Sequence, residues 1–259
     1  MIQWWETGNG PALVLLHGIS SGSGNWHKQL NNSGLQQCCH MLAWDAPGYG
    51  QSQPLTHPHP TAALYADMLA QMLDDAHISR AVVVGHSLGA LIGSAFAARY
   101  PQRVTRLVLA DPAQGYGSAA PEQQRQVLEQ REQQLAGGLK TLADDRAAHL
   151  LRPRADERDI ATVAAGMRRL NRAAYLQAAS MLATEDIHRW LADIHCPTEV
   201  WCGELDEITP PARVRELARR WSLPYLTIPT AGHACYLDNA AFFNRQLQRI
   251  TEAENEPAN

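Results

Sequence analysis

No apolar run in this sequence is long enough to cross a bilayer. The stretch Ala12-Leu13-Val14-Leu15-Leu16 stops at His17, far short of the ~20 residues a spanning helix needs. The opening Met1-Ile2-Gln3-Trp4-Trp5-Glu6 has no basic segment ahead of an apolar one, so no export signal is read and a cytoplasmic location without a membrane partner is expected. Charge of one sign is also scarce. With 22 Lys+Arg against 26 Asp+Glu and a formal net charge of −4, there is no basic footprint for nucleic acid. The cysteines, Cys38, Cys39, Cys196, Cys202 and Cys235, are odd in number and lack metal-ligand spacing, which predicts reduced structural thiols. His57 and His59, in a proline-rich loop, are not spaced as metal ligands either. The string Ser20-Ser21-Gly22-Ser23-Gly24 lacks the Gly-Lys-Ser/Thr ending of a phosphate-binding loop. No repeat or long low-complexity tract is present. No cofactor and no metal are expected; the expected partner is a small-molecule substrate, and oligomeric state is left open.

What is present is a chain of 259 residues, 45% hydrophobic and 19% charged, enough for one substantial core plus an insertion. Strand-like runs at 2–5, 12–17, 41–44, 81–85, 106–110, 199–202 and 225–228 alternate with helix-like segments at 61–75, 88–100, 211–221 and 240–250. This alternation predicts an α/β fold with a mostly parallel central sheet and helices on both faces. Between Asp111 and Ile194 it disappears and helix formers dominate, including 161–183, with Gly137-Gly138 as a break. The expected organisation is a core at 1–112, an inserted helical lid at 113–193, the rest of the core at 194–250 and a disordered tail at 251–259.

The most informative segment is Gly85-His86-Ser87-Leu88-Gly89, between the run Ala81-Val82-Val83-Val84 and the small-residue helix pattern that begins at Leu88. Glycines at both ends allow a strand to reverse sharply into a helix and present Ser87 Oγ as a nucleophile, above orphan helix N–H groups. A serine hydroxyl needs a base and a group to orient that base. Asp206 follows the strand-like run ending at Gly203, and His233 follows the one ending near Ile228, which puts both at the carboxyl edge of the sheet. Asp111 is the rival acid, and Asp206 is favoured over it. Cys235, lacking an elbow, is a poor alternative nucleophile, and His17 and His86 are read as packed histidines. Asp45, with Pro47-Gly48-Tyr49-Gly50, is read as shaping a turn.

With His17-Gly18, Asp45 to Ser52, the elbow, Gly203-Glu204-Leu205-Asp206 and Gly232-His233 in this order, the chain resembles an α/β-hydrolase over nearly its whole length. Within that superfamily it is most similar to the 3-oxoadipate enol-lactonase-like and small carboxylesterase branch. The resemblance implies an α/β-hydrolase fold with a lid over the sheet edge, and an oxyanion hole made by the backbone N–H of Leu88 and one from the loop after Gly18, for which Ile19 is preferred and Ser20 is second. It implies a serine hydrolase of esters or (enol-)lactones, with carbon–carbon hydrolysis of ring-cleavage products and non-hydrolytic ligand binding as alternatives. Serine at the elbow argues against epoxide hydrolysis or dehalogenation. Arg168, Arg169 and Arg172 share one face of an expected helix and are candidates to bind a substrate carboxylate.

Overall fold

The computed structural model describes residues 1–255. Seven strands form one sheet: β1 (Gln3–Thr7), β2 (Ala12–Leu16), β3 (His40–Asp45), β4 (Ala81–His86), β5 (Val104–Ala110), β6 (Thr198–Gly203) and β7 (Tyr225–Ile228). Their order is β1-β3-β2-β4-β5-β6-β7. β1 pairs antiparallel with β3, and every other pairing is parallel. β4 lies between β2 and β5, with Val83 in register with Val14 and Leu107. All of β4 is buried. Since successive side chains point to opposite faces, both faces of the sheet are covered there, which is the setting in which a continuous valine run is stable.

Two short helices, α1 (His27–Leu30) and α2 (Ser33–Cys38), precede β3. Then come α3 (Ala62–Asp75) before β4 and α4 (Leu88–Arg99) after it. α4 is buried along nearly its whole length, as its glycines and alanines allow. The segment between β5 and β6 holds α5 (Pro121–Ala136), α6 (Gly138–Arg146), α7 (Glu157–Arg168), α8 (Arg172–Thr184) and α9 (Ile187–Leu191). Backbone bonds from Tyr116 to Leu182 and from Ile187 to Gln114 tie its entry to its exit. α10 (Pro211–Arg220) precedes β7, and α11 (Cys235–Asp238) and α12 (Ala240–Asn255) follow it.

Two expectations need correction. The helix expected through 161–183 is broken: α7 ends at Arg168, and α8 starts afresh where Asn171 Oδ1 accepts the Ala174 N–H at 3.1 Å, a side-chain cap that favours a helix start over a continuation. The tail does not begin at 251. Thr251 is buried and its hydroxyl donates to Leu247 O at 2.9 Å, inside α12. The remainder of the expected tail, 256–259, lies outside the described residues. Among the described residues no helix is long and apolar enough to cross a membrane.

Candidate active site

At the end of β4 the chain turns through Ser87, whose φ of 53° and ψ of −115° are costly for any residue with a Cβ. The surroundings hold it there. Ser87 N–H donates to Ala110 O at 2.9 Å, and Ser87 O accepts from Ala90 and Ala113 at 3.0 and 3.1 Å. Glycine is required on both sides because a Cβ on Gly85 would sit 2.2 Å from Gly89 O, and one on Gly89 would sit 2.3 Å from Leu16 O. Ser87 opens not onto the outer surface but into a cavity of about 660 Å³ between the sheet edge and the helical segment that joins β5 to β6; the residue is 8% exposed.

Asp206 and His233 meet at this edge. Asp206 Oδ2 lies 2.9 Å from His233 Nδ1 and accepts the Thr209 hydroxyl at 2.6 Å, while Oδ1 accepts the N–H groups of Ile208 and Thr209 at 2.7 and 3.0 Å. Burial alone would raise the Asp206 pKa. The opposing charge of His233 and these hydrogen bonds outweigh it and hold the carboxyl down to about 2. His233 lines the same cavity as Ser87. Asp111 does not reach His233 in this way: its Oδ1 accepts the Gly203 N–H at 2.7 Å, and its Oδ2, 4.0 Å from His86 Nε2, has no hydrogen-bond partner among the described residues. Burial, reinforced by the charge of Asp206, pushes its pKa well up, opposite to the shift of Asp206.

The loop after β2 is braced from below. His17 Nε2 accepts the Ala46 N–H at 3.0 Å, which leaves Nδ1 as the donor to Gly18 O at 2.8 Å in the neutral imidazole. The Tyr49 hydroxyl donates to Ile19 O at 2.8 Å, and Asp45 Oδ1 accepts the Ser23 N–H at 2.9 Å. Ile19, Ser20 and Leu88 all line the cavity with Ser87. The Asp45–Tyr49 turn thus fixes the loop that carries Ile19, a role that the turn residues alone did not reveal. His86 is a second brace: its Nε2 lies 2.8 Å from His233 O and its ring 4.8 Å from that of His233. Burial, then the charge of His233, keep its pKa down at about 3.

This architecture is that of a known family. A family model described as the alpha/beta hydrolase fold matches residues 11–240. The chain belongs to that family. It is 30% identical over 251 residues to a Klebsiella pneumoniae protein named for carbamate hydrolysis, RutD, with 92% of this chain and 90% of the relative covered. Among solved structures, an esterase from Thermogutta terrifontis superposes with a TM-score of 0.85 at 24% identity, covering 97% of this chain and 93% of the other. The enol-lactonase from Burkholderia xenovorans gives 0.83 at 24%, covering 95% and 94%. The protein is therefore an α/β-fold hydrolase.

The three arginines expected to bind a substrate carboxylate do not line the cavity. Arg168 pairs with Asp144 at 2.7 Å on the exterior, Arg172 Nη1 donates to Leu135 O at 2.8 Å, and neither they nor Arg169 line the cavity. The physical reason is the break at Arg169–Asn171, which removes the continuous face on which the expectation rested. Arg131 and Arg146 line the cavity instead. They come from α5 and α6, whose apolar periodicity is too weak to tell which face turns inward. Thr209 was also missed; its place three residues after Asp206, where a side-chain turn forms, was the available signal. Asp111, Cys202 and Asp206 bring potential metal-ligand atoms within 4.8 Å of one another. The donor set suits a hydrogen-bonded acid cluster better than an ion, because both Asp206 oxygens are engaged and burial beside the two carboxyls raises the Cys202 thiol pKa.

Proposed function

We propose that this enzyme hydrolyses small carboxylic esters or lactones through an acyl-enzyme on Ser87, with His233 as base and Asp206 orienting it. The observation that carries this reading is the 2.9 Å contact of Asp206 Oδ2 with His233 Nδ1 in the cavity onto which the strained Ser87 opens. With Nδ1–H held by the carboxylate, Nε2 is the free basic nitrogen. It takes the Ser87 proton as Oγ bonds to the substrate carbonyl carbon, and the carbonyl π electrons move onto oxygen. That oxyanion is received by the N–H groups of Ile19 and Leu88. Collapse expels the alcohol or ring oxygen, which leaves with the proton from Nε2. Water then gives a proton to Nε2 and its oxygen to the acyl carbon, and Ser87 departs with that proton as the acid is released.

Residues 113–193 serve as a lid that closes the substrate site from bulk water. Carbamate cleavage, for which RutD is named, is the same attack at a carbonyl, so esters, lactones and carbamates belong in one substrate panel. Within the superfamily we place the chain in the enol-lactonase-like and small carboxylesterase branch. The buried thiols Cys39, Cys202 and Cys235 suit a reducing compartment, and we assign the enzyme to the cytoplasm. The test is a panel of p-nitrophenyl esters, a simple lactone, an enol-lactone and a dienone-acid ring-cleavage product, assayed with wild type and Ser87→Ala. Turnover of an ester or lactone that drops by about 10⁴-fold or more in the variant is expected. Retention of a tenth of the activity, or turnover of the dienone acid alone, would overturn the reading.

A further inference from the structure

Arg131 and Arg146 line the cavity, and among the described residues no carboxylate pairs with either. Arg131 Nη1 donates to Gln134 Oε1 at 3.2 Å, and its Nε is buried with no hydrogen-bond partner. Arg146 is half-buried and, among the described residues, has no ion pair. Cations on the outer faces of the same helices are matched: Arg125 pairs with Glu122 and Glu129, and Lys140 pairs with Asp144. Both guanidiniums line the one cavity, and burial, then the like charge of Arg131, lower the pKa of Arg146. Arg131 also acts electrostatically on Tyr49, whose hydroxyl holds Ile19 O. The other charged wall of the cavity differs. There Arg213, Arg220 and His188 share the lining with Asp186 and Glu216, and both acids act on His188.

Two half-buried like charges without a counter-ion are a standing electrostatic cost. A planar carboxylate can offer one oxygen to each fork and remove it. We propose that Arg131 and Arg146 form a subsite for a carboxylate carried by the substrate at the end remote from the scissile carbonyl. The preferred substrates are then half-esters or lactones that retain a free acid group. This inference rests on the acyl-transfer reading above, and it names the substrate class of that site.

The test compares p-nitrophenyl hydrogen glutarate with p-nitrophenyl valerate, which match in length and differ in the terminal carboxylate. The readout is the ratio of their kcat/KM values in wild type, Arg131→Met, Arg146→Met, the double variant and Arg125→Met. A wild-type preference for the glutarate ester is expected, falling about tenfold in each cavity variant and further in the double one, with Arg125→Met keeping the wild-type ratio. Equal ratios across the set, or a matching fall in Arg125→Met, would overturn the subsite. Glutamine versions replace any methionine variant that does not fold. Glutarate binding to Ser87→Ala, measured by calorimetry with and without the two arginines, decides the matter independently of turnover. Glutarate should bind and be lost with the arginines; no binding, unchanged binding, or tighter binding of inorganic phosphate would contradict the proposal. If the wild type turned over neither ester while glutarate binding behaved as expected, the acyl-transfer reading would fail and the subsite would stand.

Discussion

Asp206 and Asp111 are two buried carboxyls beside one another, and their surroundings drive them apart. Asp206 accepts four hydrogen bonds and faces His233; Asp111 accepts one and faces a negative neighbour. Asp206→Asn should therefore cost on the order of 10⁴ in turnover, because the imidazole loses both its partner and its tautomer. Asp111→Asn, which keeps an acceptor for the Gly203 N–H and does not touch His233 Nδ1, should cost under about tenfold. Steady-state kinetics on folded variants checks the ranking. The buried histidines give a second expectation. His86 titrates at about 3 in the folded chain against about 6.5 when unfolded. Burial, opposed by the Gly18 hydrogen bond and the Asp45 charge, lowers His17 in the same direction. For a group whose folded pKa is depressed, the stability is present above the unfolded pKa and is lost as pH falls toward the folded one. Each of these histidines should thus remove up to about 1.4 kcal/mol per pH unit below pH 6.5. Melting temperatures between pH 7 and pH 4 should fall, and less steeply in His86→Gln than in wild type. Equal slopes would count against a neutral His86. Asp206 adds its own loss only between about pH 4 and its folded value of about 2.

At the scale of elements, the elbow depends on backbone passing backbone. A methyl on Gly89 would meet Leu16 O at 2.3 Å, and neither β2 nor α4 can retreat without moving Ser87 or the Ile19 loop. Gly89→Ala should destabilise by about 3 kcal/mol or more in urea titrations; a loss under about 1 kcal/mol would mean the helix can shift. The elbow, the seven strands and the four helices flanking them were legible because β-branched runs, glycine pairs and proline stops act locally. The segment between β5 and β6 was legible as helical and not in its geometry. Asn171 acts as a cap rather than a helix interior residue, so Arg168 and Arg172 belong to different helices; Arg168 pairs with Asp144 on the exterior, and none of the three arginines lines the cavity. Likewise α12 continues past 250 because Thr251 is buried and bonded to Leu247, which its composition alone could not indicate.

At the scale of the whole molecule, residues separated by more than a hundred positions converge at one sheet edge. Ser87, Asp206 and His233 each follow a strand of the same parallel set, so their order in the chain was readable while their spacing was not. The loop after β2 is set by several segments at once, held by His17, Asp45 and Tyr49. The charge that lines the cavity is contributed by helices whose packing only the folded chain reveals. The central claim is that Ser87 is a nucleophile activated by His233. Intact-protein mass spectrometry after brief exposure to diethyl p-nitrophenyl phosphate tests it most directly, with the modified peptide sequenced and with Ser87→Ala and His233→Ala treated alongside. The account expects one diethylphosphoryl group on Ser87 in wild type, none at that position in Ser87→Ala, and modification slowed by more than about 10³-fold in His233→Ala. An unmodified wild-type protein, or equal labelling in all three, would contradict it.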